Sequence, residues 1–182
     1  SLLANYALEK VITAVQITDK EIEDYYNENA DKYHAIAREM ALSWEERAFA
    51  GDHYVLSFGV PESWSMKYNL VWDQIFGSKL FSEKVYATEL NWYEAHCNTY
   101  GTPLDSRNSY TKSDWIMWTA SMADSDEDFK AFLMPLYKYT NETKSRVPAS
   151  DWYDTKTGNM VGFKARSVIG GYWMKVLADK MK

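Results

Sequence analysis

One cysteine, Cys97, stands in a chain of 182 residues, so no internal disulfide can form. Its setting, "YEAHCNTY" at helical spacing, suits a small buried hydrophobe better than a nucleophile. Prolines number 4 and glycines 8. No Pro/Gly-rich, low-complexity or repeated stretch divides the chain, so one helical domain over 1–182 is expected, large enough to bury roughly two-thirds of its unfolded surface. No apolar run approaches the roughly 20 residues of a membrane span, and no charged-apolar-small signal peptide opens the sequence. The first residue is Ser1, leading at once into "LLANYALEKVITAV", which suggests a processed product or a piece of something longer. Lys and Arg total 20 against 26 Asp and Glu, for a net charge of -6. They nowhere cluster as a phosphate-tracking surface would, which argues against a nucleic-acid partner. The 3 histidines include no pair at ligand spacing, so no metal is expected. "GFKARSVIGG" follows no strand and lacks the dinucleotide spacing, so no phosphate cradle or cofactor is expected either.

What the chain has in quantity is aromatic residues, 16% of the total, with 8 Trp and 14 Tyr. Such rings serve both cores and clefts. Apolar residues at spacings of three and four through Ile22, Tyr26, Tyr33, Ala37, Met40, Trp44 and Ala48 predict a long helix from Asp19 to Phe49. The same period predicts helices through Tyr86, Leu90, Tyr93 and Cys97, through Trp115, Trp118 and Met122, and through Phe129, Phe132, Leu136 and Thr140. The last of these should bend or break at Pro135. Shorter helices are expected at 2–15, 66–76 and 168–180. "HYVLSF" could form a short strand, but no second segment offers an alternating partner. The expected class is all-α, built of antiparallel helical hairpins.

The connections alternate between short ("QITD", "GSKLFS", "ADSDED") and long (50–65, 100–110 and 143–167). Consecutive antiparallel helices put every second connection at the same end, so the long loops should gather. They also hold the unusual residues. In the first, Asp52, His53, Trp64 and Lys67 lie close to Asp73, an acid among Val71, Trp72 and Ile75. His53 alone reads as a hydrogen-bonded loop histidine, and Ser65 with Lys67 is a common spacing rather than a nucleophile pair. In the second, "LDSRNSYTKSDWIMW" brings Asp105, Arg107, Asp114 and Trp115 together. Thr111 can cap the following helix with Asp114 three residues on, near a capping box, while Asp105 and Arg107 lie before the cap unexplained. The third supplies Arg146, Asp151, Trp152 and Arg166. "DTKTGN" there reads as a polar turn held by Asp154, and "SDWY" as the start of a helical turn capped by Ser150 or Asp151.

Together "GDHY…WSMKYNLVWD", "YGTPLDSRNSYTKSDWIMW" and "RVPASDWYDTKTGNMVGFKARSVIGG" closely resemble the C-terminal part of the glutaminase A-like family of fungi and bacteria. Order and spacing match from about Tyr33 to Leu177. The resemblance implies an (α/α)6 toroid of the six-hairpin glycosidase-like kind, found in large proteins that are secreted, periplasmic or at the cell surface. This chain holds about half the helices of such a ring. It therefore reads as a C-terminal portion whose partners are a small-molecule substrate and the N-terminal part of the parent, and the isolated chain is expected to self-associate or expose an apolar edge.

Fungal members hydrolyse glutamine to glutamate and ammonia, so glutaminase-like amide hydrolysis is the first functional expectation. That chemistry needs a proton donor for ammonia and charged groups for the amino acid's two ends. Asp73, Asp105 and Asp114 are the candidate catalytic residues. Asp52, His53, Trp64, Lys67, Arg107, Trp115, Arg146, Asp151, Trp152 and Arg166 are candidate substrate-binding residues. Carbohydrate hydrolysis by paired carboxyls between aromatic faces is the second expectation, and a non-catalytic scaffold or binding domain the third.

Overall fold

The computed structural model describes residues 17–181, so the helix expected at 2–15 lies outside the described residues. The chain forms two compact units, 1–37 and 38–182. Helix α1, Asp19–Ala48, runs from the first into the second, within a residue of its expected end. Its start is a capping box. Glu21 N donates to Thr18 Oγ1 at 3.2 Å and Thr18 N to Glu21 Oε2 at 2.8 Å, which satisfies two amides that the helix itself leaves free. Within the same unit the Tyr25 and Tyr33 hydroxyls meet at 2.6 Å.

The second unit continues from α1 through a 3-10 helix, Tyr68–Leu70, and α2, Val71–Phe76. Gly77, in the left-handed region at φ 63, stops α2. Next come α3, Glu83–Ala95, and strand β1, Tyr110–Lys112, then α4, Ser113–Ala120, and α5, Asp126–Glu142. Strands β2, Trp152–Asp154, and β3, Met160–Gly162, precede a second 3-10 helix, Ser167–Trp173, and α6, Met174–Met181. The stripe Tyr86, Leu90 and Tyr93 of α3 is buried, as its period predicts. The core joins it to Val71, Ile116, Ala120 and Tyr153, and Tyr139 of α5 stacks on Tyr153 of β2 with centroids 3.5 Å apart. Among the described residues no helix is long and apolar enough to cross a membrane.

Several expectations are corrected. The fold is helical but not purely all-α, because β1, β2 and β3 form an antiparallel sheet in that order. Its strands are three residues each, too short to write a period of two. Thr111 does not cap α4. It sits in β1 opposite Tyr153, and the residue at the N-cap position is Lys112, with no side-chain cap bond. "SDWY" enters β2 rather than a helical turn. Nor does Pro135 interrupt α5, which is continuous through it; Ser125 caps that helix by accepting from Asp128 N at 3.1 Å. "HYVLSF" contributes only an isolated bridge, Tyr54 with Phe49.

The three long connections are hydrogen-bonded to one another. Met66 N donates to Leu104 O at 2.8 Å, and Ser106 N to Trp64 O at 2.9 Å, joining the first to the second. Ser113 N donates to Asp151 O at 2.9 Å and Thr155 N to Ser109 O at 2.8 Å, joining the second to the third.

Candidate functional site

The first and second connections enclose a cleft of about 540 Å3, within the range of small-molecule sites. Tyr68 and Trp115, stacked at 4.0 Å with ring planes 8° apart, form one wall, and Trp44, Phe81 and Leu104 also line it. Two cations reach the cleft, Lys67 and Arg107.

Arg107 is held by Asp105. Its Nε donates to Asp105 Oδ1 at 3.0 Å and its Nη2 to Oδ2 at 2.7 Å, while Arg107 N also donates to Oδ1 at 2.9 Å. The carboxylate side chain is 3% exposed and the guanidinium side chain 67%. These bonds from Arg107 hold the Asp105 carboxyl below its ordinary value, so it stays ionised at neutral pH.

Lys67 differs, because its ammonium is fully used. Nζ donates to Tyr54 O at 2.6 Å and to Ser65 O at 3.0 Å, and lies 3.0 Å from Glu89 Oε2. Burial pushes the amine's pKa down, with Glu89 opposing. Glu89, 1% exposed on α3, also accepts from Tyr54 N at 2.7 Å and from the Tyr93 hydroxyl. This network sits under the cleft and ties α3 to the first connection. Sequence reasoning missed Glu89, although its signal was present: an acid within the apolar stripe Tyr86, Leu90 and Tyr93.

A second carboxylate cluster lies at the start of α4. Asp151, 1% exposed, accepts from Arg166 Nε at 3.1 Å, from Arg166 Nη2, and from Lys112 Nζ at 3.2 Å. Burial disfavours its charge, but the two cations outweigh burial and hold its carboxyl below the ordinary value. Asp114, 5% exposed in the first turn of α4, has no such partners, and its Oδ1 meets no hydrogen-bond donor. Burial pushes its carboxyl up, Asp151 adds to the effect, and Lys112 and Arg166 oppose it. Asp114 is outside the cleft lining, yet its charge is felt by Tyr68, which lines it. Two neighbouring carboxyls are thus pushed in opposite directions, the condition under which one can serve as an acid while the other stays charged.

The sequence matches the family described as "Glutaminase A six helical-hairpin domain" over residues 4–176. The chain belongs to the glutaminase A six-hairpin family. Glutaminase A of Aspergillus oryzae is 35% identical over 151 residues, covering 79% of this chain and 22% of that protein. A protein of Arthroderma benhamiae named "Probable glutaminase" is 31% identical over 170 residues, covering 75% of this chain and 20% of that one. The chain thus spans about a fifth of the length of these curated relatives. No solved structure matches it.

The other candidate residues of this glutaminase A family chain are spread more widely. Asp73 accepts from Leu80 N at 2.9 Å, Phe81 N at 3.3 Å and the Tyr86 hydroxyl at 2.6 Å, fastening the turn after α2. Exposed Asp52 binds His53 Nδ1 at 2.8 Å, and His53 stacks on Trp92 at 4.2 Å. Trp64 packs in the core against Tyr93 and His96. Arg146 donates to Asn141 O at 2.7 Å, away from the cleft. Trp152 packs edge-on to Tyr110 at 5.3 Å, and Lys112 Nζ lies 4.9 Å from its ring centroid. Asp154 holds its turn as expected, accepting from Lys156 N at 3.0 Å and Thr157 N at 2.7 Å. Among the described residues no group of three His, Cys, Asp or Glu is placed to hold a metal ion.

Proposed function

We propose that this chain supplies substrate-contacting loops of a hydrolase that converts the side-chain amide of glutamine to a carboxylate and ammonia, completed by other parts of an exported protein. The observation that supports the reading is a cleft lined wholly by residues inside the family match, with the Arg107 guanidinium in its lining and a carboxyl, Asp114, that keeps an oxygen without a donor. Water adds to the amide carbon, the C–N bond breaks, and the departing nitrogen takes a proton. Asp114 is the proton donor in this reading. Asp73 and Asp105 already spend their oxygens on the protein's own donors, whereas Asp114 keeps an oxygen free. A second reading, glycoside hydrolysis, is favoured by the aromatic wall of Tyr68 and Trp115.

The test is ammonia release from glutamine by the full-length protein carrying this chain, beside reducing-sugar release from a glycan panel. Ammonia release that falls about a hundredfold to ten-thousandfold in Asp114→Asn is expected. Sugar release without ammonia release would overturn the reading in favour of the second.

A further inference from the structure

We propose that Arg107 is the carboxylate anchor of the cleft and that Asp105 is its positioning residue rather than a catalytic acid. The inference rests on the glutamine reading and assigns the recognition within it. A guanidinium has five N–H groups arranged along two usable edges. Asp105 takes the Nε–Nη2 edge through two bonds, of 3.0 and 2.7 Å, and leaves the Nη1–Nη2 edge available for a second carboxylate in the same bidentate fashion. Asp105 itself spends both carboxylate oxygens on Arg107, accepting three bonds from that residue alone. The competing cations are committed: Lys67 gives its ammonium to Tyr54 O, Ser65 O and Glu89, and Arg166 binds Asp151 outside the cleft lining. Arg107 with Asp105 is close to neutral as a pair, so recognition works through aimed N–H groups rather than bulk charge. The apolar surfaces of Leu104, Phe81 and Trp115 suit the methylenes of a short side chain. The predicted substrate class is therefore a small amide that bears a free carboxylate, such as free glutamine, and not an amide whose carboxylate is blocked.

The experiment uses the full-length protein with L-glutamine and with L-glutamine tert-butyl ester, which keeps the amide and the ammonium but lacks the carboxylate. The wild type should lose about a hundredfold in kcat/KM on the ester, the scale of a lost charge-assisted pair. Arg107→Gln should raise KM for glutamine by a similar factor with kcat within a few-fold, and should no longer discriminate against the ester. Asp105→Asn should raise KM less, also with kcat kept. Undiminished discrimination in Arg107→Gln would overturn the anchor. A loss of kcat in Asp105→Asn at unchanged KM, with native circular dichroism, would overturn the positioning role. Arg107 is exposed, so its variant stays informative even where Asp105→Asn fails to fold. If the wild type releases no ammonia from glutamine, the glutaminase reading fails separately, and calorimetric titration with glutarate decides the anchor: binding weakened by Arg107→Gln upholds it, and equal or absent binding overturns it.

Discussion

A buried carboxyl oxygen without a donor, as at Asp114 Oδ1, costs a fold about 1–3 kcal/mol, and more when the group is charged. Asp114 therefore strains the protein at neutral pH unless its chemistry is used. The sign follows from its raised pKa: the folded state holds this proton more tightly than the unfolded chain, so the penalty applies above the folded value and fades as pH falls through it. Asp114→Asn should leave the melting temperature at pH 8 unchanged or raise it, with the difference from wild type shrinking toward pH 4. Thermal melts of both proteins check this, and a clear loss of stability at pH 8 would mean that the carboxylate makes a structural bond after all. The sequence marked Asp114 as a residue of interest, but it could not separate a cap from an orphan. That distinction depends on Thr111 turning into a strand. The Asp105–Arg107 pair was legible as a feature because both residues lie in a loop outside any cap. Its division into buried brace and exposed fork was not, since it follows from a backbone pairing between distant loops, the bridge of Asp105 with Ser65 and the bond from Met66 N to Leu104 O.

Helices were legible nearly to their ends, including the short ones expected at 66–76 and 168–180, and the short strands were not. Helix α1 carries its stripe over eight turns, whereas β1, β2 and β3 have three residues each and owe their conformation to pairing, β1 with β2 across about 40 residues of chain and β2 with β3 across about 10. Pro135 does not break α5: a proline removes one bond and clashes with one carbonyl, a cost that α5 meets by burying Phe132, Leu136 and Tyr139. The second 3-10 helix illustrates a close approach that only small residues allow. A Cβ on Gly171 would come within 2.7 Å of Trp118 Nε1 and 3.0 Å of Asp114 Cβ, while one on Gly170 would meet nothing within 4 Å. Trp118 cannot easily yield, being packed edge-on against Trp72 at 5.4 Å and Tyr68 at 5.9 Å. Gly171→Ala should therefore cost about 1–3 kcal/mol, the scale of overpacking, and disturb the aromatic wall of the cleft. Gly170→Ala should be neutral or slightly stabilising because it narrows the unfolded ensemble. Equal melting of the two variants would show that the helix can shift away from Trp118.

Across the second unit, carboxyls are pushed both ways. Asp105, Asp151 and Asp154 are held below their ordinary values, and Asp114 and Glu94 above. The first three contribute stability that is present above the unfolded value and lost as pH falls through the folded one; the other two work in the opposite direction. With a net charge of -6, the chain also carries excess acid repulsion at neutral pH that acidification relieves. The stability curve should accordingly be broad on its acid side and then fall below about pH 4, the ordinary aspartate value, as the ion-paired carboxylates take up protons. Arg166→Gln isolates one part of that fall. It removes the Nε and Nη2 bonds to Asp151 and leaves a carboxylate 1% exposed with Lys112 as its remaining cation. Burial then has less to oppose it, so the Asp151 carboxyl should move up, the unfolding midpoint at pH 7 should drop, and the acid decline should begin at higher pH. Arg146→Gln is the matched control, since Arg146 donates to a backbone oxygen at Asn141 rather than to a buried carboxylate. Urea unfolding from pH 3 to 8 reads both quantities, and a profile of Arg166→Gln that parallels the Arg146→Gln curve would mean that Asp151 draws its stabilisation from Lys112 and the surrounding amides rather than from the guanidinium.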